Sequence, residues 1–291
     1  MRVLVRAPDH LGDGVMALPA VEAAVALGEA VIAGPRWCGE LYRDLPARVV
    51  SADEVPRIAA DLAVLLKPSF SAAWAARKAG RRVGLATDHR GLLLSVAVPP
   101  RGPHRIDDLN AVARAAGGEP APLPCYRIRA ADAADLPALP ADAVLLLPGT
   151  AKPQTVRWPG YAALGRRLGA RAVFAGGAAD MAVLQEIADG ARVLGPLSIP
   201  ALAALSARVG AVVGNDSGLP HLAAAARRAA GLDVGALHVI YGSTDPTRTG
   251  PPGSTAHAGT RPPCWPCYAS RCAIGTPCLD LGVERLLAAL G

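Results

Sequence analysis

Short apolar runs alternate with longer stretches of helical periodicity along the whole chain. Residues 3–6 form a run of strand length that breaks into a loop of Asp, His and Gly, and residues 15–27 then repeat apolar positions at helical spacing. The same rhythm predicts strands at 30–33, 48–51, 62–66 and 82–85, with helices at 37–45, 71–79 and 106–116. Between Gly117 and Ala141, Pro120, Pro122, Pro124, Pro137 and Pro140 are too many for regular structure. From residue 143 the rhythm restarts. Strands are expected at 143–147, 172–175, 192–194, 211–213 and 237–241, and helices at 161–168, 180–188, 200–207, 219–228 and 283–290.

Strand and helix alternating in two series around a proline-rich seam predict an α/β protein of two doubly wound domains, residues 1–138 and 139–291. Ligands of such sheets bind beyond the carboxyl ends of the strands, so the loops that follow strands are the ones to search. Composition agrees: at 52% hydrophobic and 19% charged, the 291 residues supply two buried cores. The core residues are mostly Ala, Val and Leu, which suits parallel sheets under small-residue helices.

Net charge is +6 and almost all of the positive charge is arginine, the lysines being Lys67, Lys78 and Lys152. This excess predicts an anionic partner such as nucleotide phosphates, a phosphorylated glycolipid or an acidic membrane face. No basic run exceeds two residues and aromatics are not interleaved with them, which argues against nucleic acid. The N-terminus reads as a strand, not a signal peptide, and no long uncharged apolar window occurs. A cytoplasmic protein is expected, with peripheral contact at the inner membrane leaflet left open.

Three post-strand loops carry candidate chemistry. In Arg6-Ala7-Pro8-Asp9-His10-Leu11-Gly12-Asp13-Gly14, Asp13 stands where a helix begins. It is either the helix cap or a general base for an acceptor hydroxyl, with His10 as a second base or an anion ligand. The loop from Pro148 to Pro159 offers Gly149 for close backbone approach, the Thr150 hydroxyl, and the charges of Lys152 and Arg157, which are groups that hold a pyrophosphate. In Gly214-Asn215-Asp216-Ser217-Gly218-Leu219-Pro220-His221, one polar side chain would cap the next helix and the first-turn amides form an anion site. Solvated loops and plain capping are the competing readings. No dinucleotide fingerprint, Walker A sequence or nucleophile elbow is present.

Cys264, Cys267, Cys272 and Cys278 follow a C-x2-C-x4-C-x5-C pattern. They are candidates for zinc, an iron–sulfur cluster, disulfides or plain thiols, and the spacing matches no standard metal site. Cys38 and Cys125 read as isolated core residues.

In order, the His10-to-Ala20 opening with its Gly12-Asp13 pair and Pro19, Leu147-Pro148-Gly149-Thr150 with Arg157-Trp158-Pro159, and the Asn215-to-His221 stretch all fit one pattern. Gly242-Ser243-Thr244-Asp245-Pro246, Thr249-Gly250-Pro251 and the cysteine-rich tail also belong to it. This ordered set resembles glycosyltransferase family 9, the ADP-heptose:lipopolysaccharide heptosyltransferases, over the whole chain. The resemblance implies a GT-B fold, two Rossmann-like domains facing across a cleft, with the acceptor on the first and the nucleotide-diphosphate sugar on the second. It implies that the last helix packs back toward the first domain.

It also implies that Asp13 is the catalytic base, with His10 and Gly12 near the acceptor. Gly149, Thr150, Lys152, Arg157, Asn215, Asp216, Ser217, Gly218 and His221 would hold the donor without metal or other cofactor. The acceptor implied is a lipopolysaccharide-type or other envelope glycan. One departure stands out: the family commonly has a lysine two residues before Trp-Pro, and here that seat is Val156. A nucleotide-sugar epimerase and a non-catalytic nucleotide-sugar-binding protein are the alternatives on the same scaffold.

Overall fold

The computed structural model describes residues 1–152 and 154–291. The chain divides into two compact units, Met1–Pro124 and Cys125–Gly291. The first holds strands β1 (Arg2–Arg6), β2 (Glu29–Gly34), β3 (Ala47–Ser51), β4 (Leu62–Leu65), β5 (Arg81–Leu85) and β6 (Val96–Val98). They form one sheet in the order β3-β2-β1-β4-β5-β6, and every pairing is parallel.

The second unit holds β7 (Val144–Leu147), β8 (Ala172–Ala175), β9 (Arg192–Leu194), β10 (Ala211–Asn215), β11 (Leu237–Ile240) and β12 (Thr255–His257). Its sheet runs β12-β11-β10-β7-β8-β9, again parallel throughout. Counted within each unit, both sheets read 3-2-1-4-5-6, the doubly wound order. Each reverses direction between its first and fourth strands, where ligand crevices open. These strands are β1 and β4 in one unit, β7 and β10 in the other.

The innermost strands explain their own place. The sequences of β4 (LAVL) and β7 (VLLL) are buried at every position, as a parallel strand covered on both faces requires. Edge strands β6, β9 and β12 have three residues each and leave at least part of their length open. That brevity explains why β6 and β12 escape the sequence pattern, since three half-covered residues show no period. The helix expected over 15–27 is two helices, Leu11–Met16 and Leu18–Val25, because Pro19 sits in the first turn of the second. Proline belongs there, where no amide donor is lost.

The division between units falls fourteen residues before the expected 138/139 seam, and backbone contacts account for it. Tyr126 donates its N–H to Ala225 O at 3.0 Å, Arg192 reaches Ala138 O at 3.1 Å, and the turn Ala130–Ala133 packs on the helix Ile199–Ser206. The proline-rich stretch is thus tied to the second unit. Cys125, expected in a core, is exposed, and its neighbour Tyr126 takes the buried place. The last helix, Val283–Leu290, buries Leu286 in the second unit's core and packs on the helix Tyr161–Leu168, with Arg167 paired to Glu284.

Candidate functional site

In the first unit the crevice loops follow β1 and β4. Arg6 ends β1 with its side chain buried, donating to the Ala7 carbonyl and, at 2.6 Å, to Asp9 Oδ1. Lys67, just past β4, meets Asp9 Oδ2 at 2.5 Å. Burial alone would raise the Asp9 pKa, but the hydrogen bonds and charges of Lys67 and Arg6 outweigh it and hold the carboxyl below its ordinary range. This ion cluster was not foreseen. Its partners are joined only by strand pairing, although a scarce lysine at a strand end was a usable signal.

Asp13 lies in the first turn of the helix Leu11–Met16 and is half-buried, with Arg105 Nε at 3.6 Å. It does not cap that helix: His10 holds the cap position with extended backbone and makes no side-chain cap bond. Gly12 sits between them and Gly14 is buried, its carbonyl accepting from Tyr42 at 3.0 Å. A fully buried Arg90 donates to the carbonyls of Leu85, Lys67, Ser69 and Leu65, so its guanidinium ties the loops after β4 and β5 to their strands. Burial lowers its pKa to about 10, with the nearby Arg105 charge adding to the shift.

In the second unit the crevice lies between β7 and β10. Gly149 approaches Asp180 so closely that a Cβ there would stand 2.4 Å from Oδ1. Asp180 in turn accepts the Gly177 N–H at 3.0 Å. Thr150 Oγ1 accepts the Lys152 N–H at 3.2 Å, folding the loop, while the Lys152 side chain is exposed. Arg157 donates Nε to Pro148 O at 3.1 Å, leaving its terminal nitrogens for other partners.

Val156, the seat of the family lysine, is buried and faces the interior, so no charge fits there. Trp158 is buried beside Tyr161 in an edge-on contact of 5.3 Å and donates Nε1 to Leu281 O at 2.9 Å.

The stretch after β10 divides its work. Asn215 is buried and both ends of its amide are committed inside the protein: Oδ1 accepts from Trp158 N at 3.0 Å and Nδ2 donates to Pro148 O at 2.9 Å. It locks the two crevice loops together. Asp216 accepts from Thr244 Oγ1 at 2.5 Å, a partner on the loop after β11 whose stretch the sequence singled out without giving Thr244 a role. Ser217 stands at the cap of the twelve-residue helix Gly218–Ala229 but makes no cap bond, and its Oγ is buried without a partner among the described residues. The first-turn amides of Gly218 and Leu219 therefore keep their anion-binding capacity. His221 is buried one turn further in.

The cysteine segment follows β12. None of the six cysteines forms a disulfide, and Cys264, Cys267, Cys272 and Cys278 line one cavity. Among the described residues, no three ligating side chains already stand together as a metal shell, and no helix is long and apolar enough to cross a membrane.

The family model for glycosyltransferase family 9 (heptosyltransferase) matches residues 52–275, more than half of the chain. No curated protein matches the sequence. Among solved structures, the fold is similar to E. coli ADP-heptose LPS heptosyltransferase II, at 23% identity over 100% of this chain and 97% of that one, with a TM-score of 0.76. A family 9 glycosyl transferase from Veillonella parvula aligns at 18% identity over 99% and 95%, with a TM-score of 0.77. E. coli heptosyltransferase WaaC with ADP aligns at 18% over 99% and 98%, with a TM-score of 0.73. A family match of this extent, on two Rossmann-like units of the same strand order, means that the chain belongs to glycosyltransferase family 9, the heptosyltransferase family, and is a glycosyltransferase of the GT-B fold.

Proposed function

We propose that this glycosyltransferase is inverting and metal-independent in its chemistry, transferring a heptose from an ADP-heptose-like donor to a lipopolysaccharide-type envelope acceptor. The observation that carries the reading is the second unit's crevice, where an uncapped helix start with the unpartnered Ser217 hydroxyl is linked through Asn215 to the loop of Thr150, Lys152 and Arg157. Uncapped amides, a hydroxyl and two cations are the chemistry of a diphosphate seat. The similar E. coli structures carrying ADP or an ADP-heptose analogue support an adenine nucleotide donor.

In this reading Asp13 removes the proton of the acceptor hydroxyl as its oxygen bonds to the anomeric carbon. The bond from that carbon to the diphosphate oxygen breaks, and the electron pair leaves with the diphosphate. The amides of Gly218 and Leu219, with Thr150, Lys152 and Arg157, stabilise the negative charge that departs, which a divalent metal does in other transferases. Arg105 Nε, 3.6 Å from Asp13 Oδ1, holds that carboxylate in place at the start of its helix. Asn215 shapes the seat by joining its loops, while Gly149, Asp216 and His221 contribute backbone access, loop anchoring and packing. His10 and Gly12 contact the acceptor. The protein works in the cytoplasm, at the inner membrane face where its acceptor is anchored.

A thermal-shift screen against ADP, UDP, GDP and TDP sugars tests the donor. Stabilisation by ADP-heptose above the others is expected, with transfer that proceeds without added magnesium or manganese and gives a product of the opposite anomeric configuration, read from the one-bond C1–H1 coupling. Selective stabilisation by a different nucleotide removes the donor assignment. Turnover of the sugar nucleotide with no acceptor present replaces transfer with epimerisation.

A further inference from the structure

Residues 258–276 run without a helix or a strand. Loops of that length inside compact domains are uncommon and need something to hold them. The segment has no core of its own, for Tyr268 and Ile274 are exposed. It touches the second unit through Trp265 Nε1 to Gly242 O at 3.0 Å, Tyr268 N to Ser243 O at 2.9 Å and Gly259 N to Cys278 O at 2.8 Å. The four cysteines of the segment and its end line a single cavity of about 20 Å³. That is room for one ion or one water.

We propose that Cys264, Cys267, Cys272 and Cys278 bind one thiophilic divalent ion, zinc or iron, as a tetrathiolate centre that staples this segment to the loop after β11.

The surroundings suit sulfur that carries negative charge. Thr276 donates its backbone N–H to Cys272 Sγ at 3.3 Å, and the amides of Ile274 and Gly275 face the same sulfur. Amide donors around a thiolate are what a metal-bound cysteine gathers. Two more donors wait on the cavity wall. Thr155 Oγ1 and Ser243 Oγ are each in residues 2% exposed, have no hydrogen-bond partner among the described residues, and line the same cavity as the cysteines. A buried hydroxyl without a partner is costly and rare. Thiolates around an ion would give both hydroxyls their acceptors.

Loading swings the three exposed thiols inward, since no closed ligand shell stands ready. Each thiol gives up its proton as it ligates, so four thiolates and one divalent ion leave a net charge of −2 for those donors to offset. The centre is structural and touches no reacting atom. Its reach into the crevice is through Ser243 and Thr244, the latter bonded to Asp216.

The test uses the full-length protein purified under reducing conditions without chelator. Elemental analysis is expected to find about one equivalent of zinc or iron per chain, the two metals being told apart there. After removal of that metal, Co²⁺ titration should give the charge-transfer and ligand-field bands of tetrahedral cobalt thiolate. Cys272→Ser and the pair Cys264→Ser with Cys267→Ser should lose metal and bands, and Cys125→Ser should keep both. Because a cysteine variant can fail by misfolding, the reversible cobalt titration of the wild-type chain decides alone. A reduced chain that takes up no Co²⁺ with thiolate bands, bands that survive Cys272→Ser, or disulfides among these cysteines in the freshly isolated protein would each overturn the assignment.

Discussion

Asn215, at the end of β10, accepts the backbone N–H of Trp158 through Oδ1 at 3.0 Å, fifty-seven residues away in sequence. Its Nδ2 reaches the Pro148 carbonyl, so one buried side chain fixes the spacing of the two loops proposed to hold the donor. Asn215→Ala would orphan the buried Trp158 N–H, while Pro148 O keeps Arg157 as its donor, at a cost on the order of 1–3 kcal/mol. Urea unfolding followed by tryptophan fluorescence should show the drop, and nucleotide affinity should fall with it. An unchanged midpoint would mean that the loops are held by other contacts.

Asp13→Asn keeps the shape of the first helical turn and removes its proton acceptor. Transfer should fall by roughly 10²–10⁴-fold, the usual contribution of a positioned base. Donor affinity by calorimetry should stay within a few-fold of the wild type. A variant with undiminished transfer would remove Asp13 from the chemistry.

Arg157 and Lys152 should separate. Arg157 is already oriented by its bond to Pro148 O, whereas the exposed Lys152 must be ordered on binding. Arg157→Ala is therefore expected to weaken ADP by about 10–100-fold, the range for hydrogen bonds to a charged group. Lys152→Ala should weaken it less. Titration calorimetry on both variants checks the order, and two unchanged affinities would mean that this loop is not the phosphate seat.

Gly149→Ala puts a methyl group 2.4 Å from Asp180 Oδ1. Shifting the loop or Asp180 to relieve that contact should cost about 1–3 kcal/mol, as overpacking does. A lower melting temperature together with weaker ADP binding is expected. Wild-type stability would show that the loop yields without strain.

His238 Nδ1 and His257 Nε2 lie 3.0 Å apart, both buried. Burial lowers both pKa values, and for His257, where the charges of His238 and Arg285 add to burial, the value falls from 6.5 to about 4. Between those pH values the unfolded chain binds more protons than the folded one. Stability should therefore be full above pH 6.5 and fall as pH drops toward about 4. The loss between about pH 7 and about pH 4.5 should be on the order of 1–2 kcal/mol, allowing for partial solvent access. His257→Gln should flatten this part of the urea midpoint against pH. A slope that persists in the variant would assign it elsewhere.

Much of the architecture was legible because parallel strands such as β4 and β7 are apolar at every residue and sit between turn-forming sequences. The loops after β1, β7 and β10 could be located for the same reason, and their order carried the family resemblance. What escaped depends on pairing across the fold. The Arg6–Asp9–Lys67 cluster exists because β1 lies beside β4, and the only local hint of it is a scarce lysine at a strand end. Asn215 looked like a ligand residue because its polarity was visible while its partners, main-chain atoms near Trp158 and Pro148, were not. Cys125 was misjudged because a small apolar residue beside a buried tyrosine has the same local pattern whichever of the two points inward. The buried Val156 shows the opposite gain: a missing family lysine, puzzling in sequence, is a seat with no access to water.

The Arg90 guanidinium spends its donors on main-chain oxygens alone. A bend held in that way depends little on the side chain at Pro68, so that residue can be exchanged while the path of the chain beside Lys67 is retained, whereas Ser69 also caps the helix Phe70–Ala75 through Ala72 N. Under the proposed function, that makes this rim a natural place to retune which acceptors are admitted without remaking the scaffold beneath it.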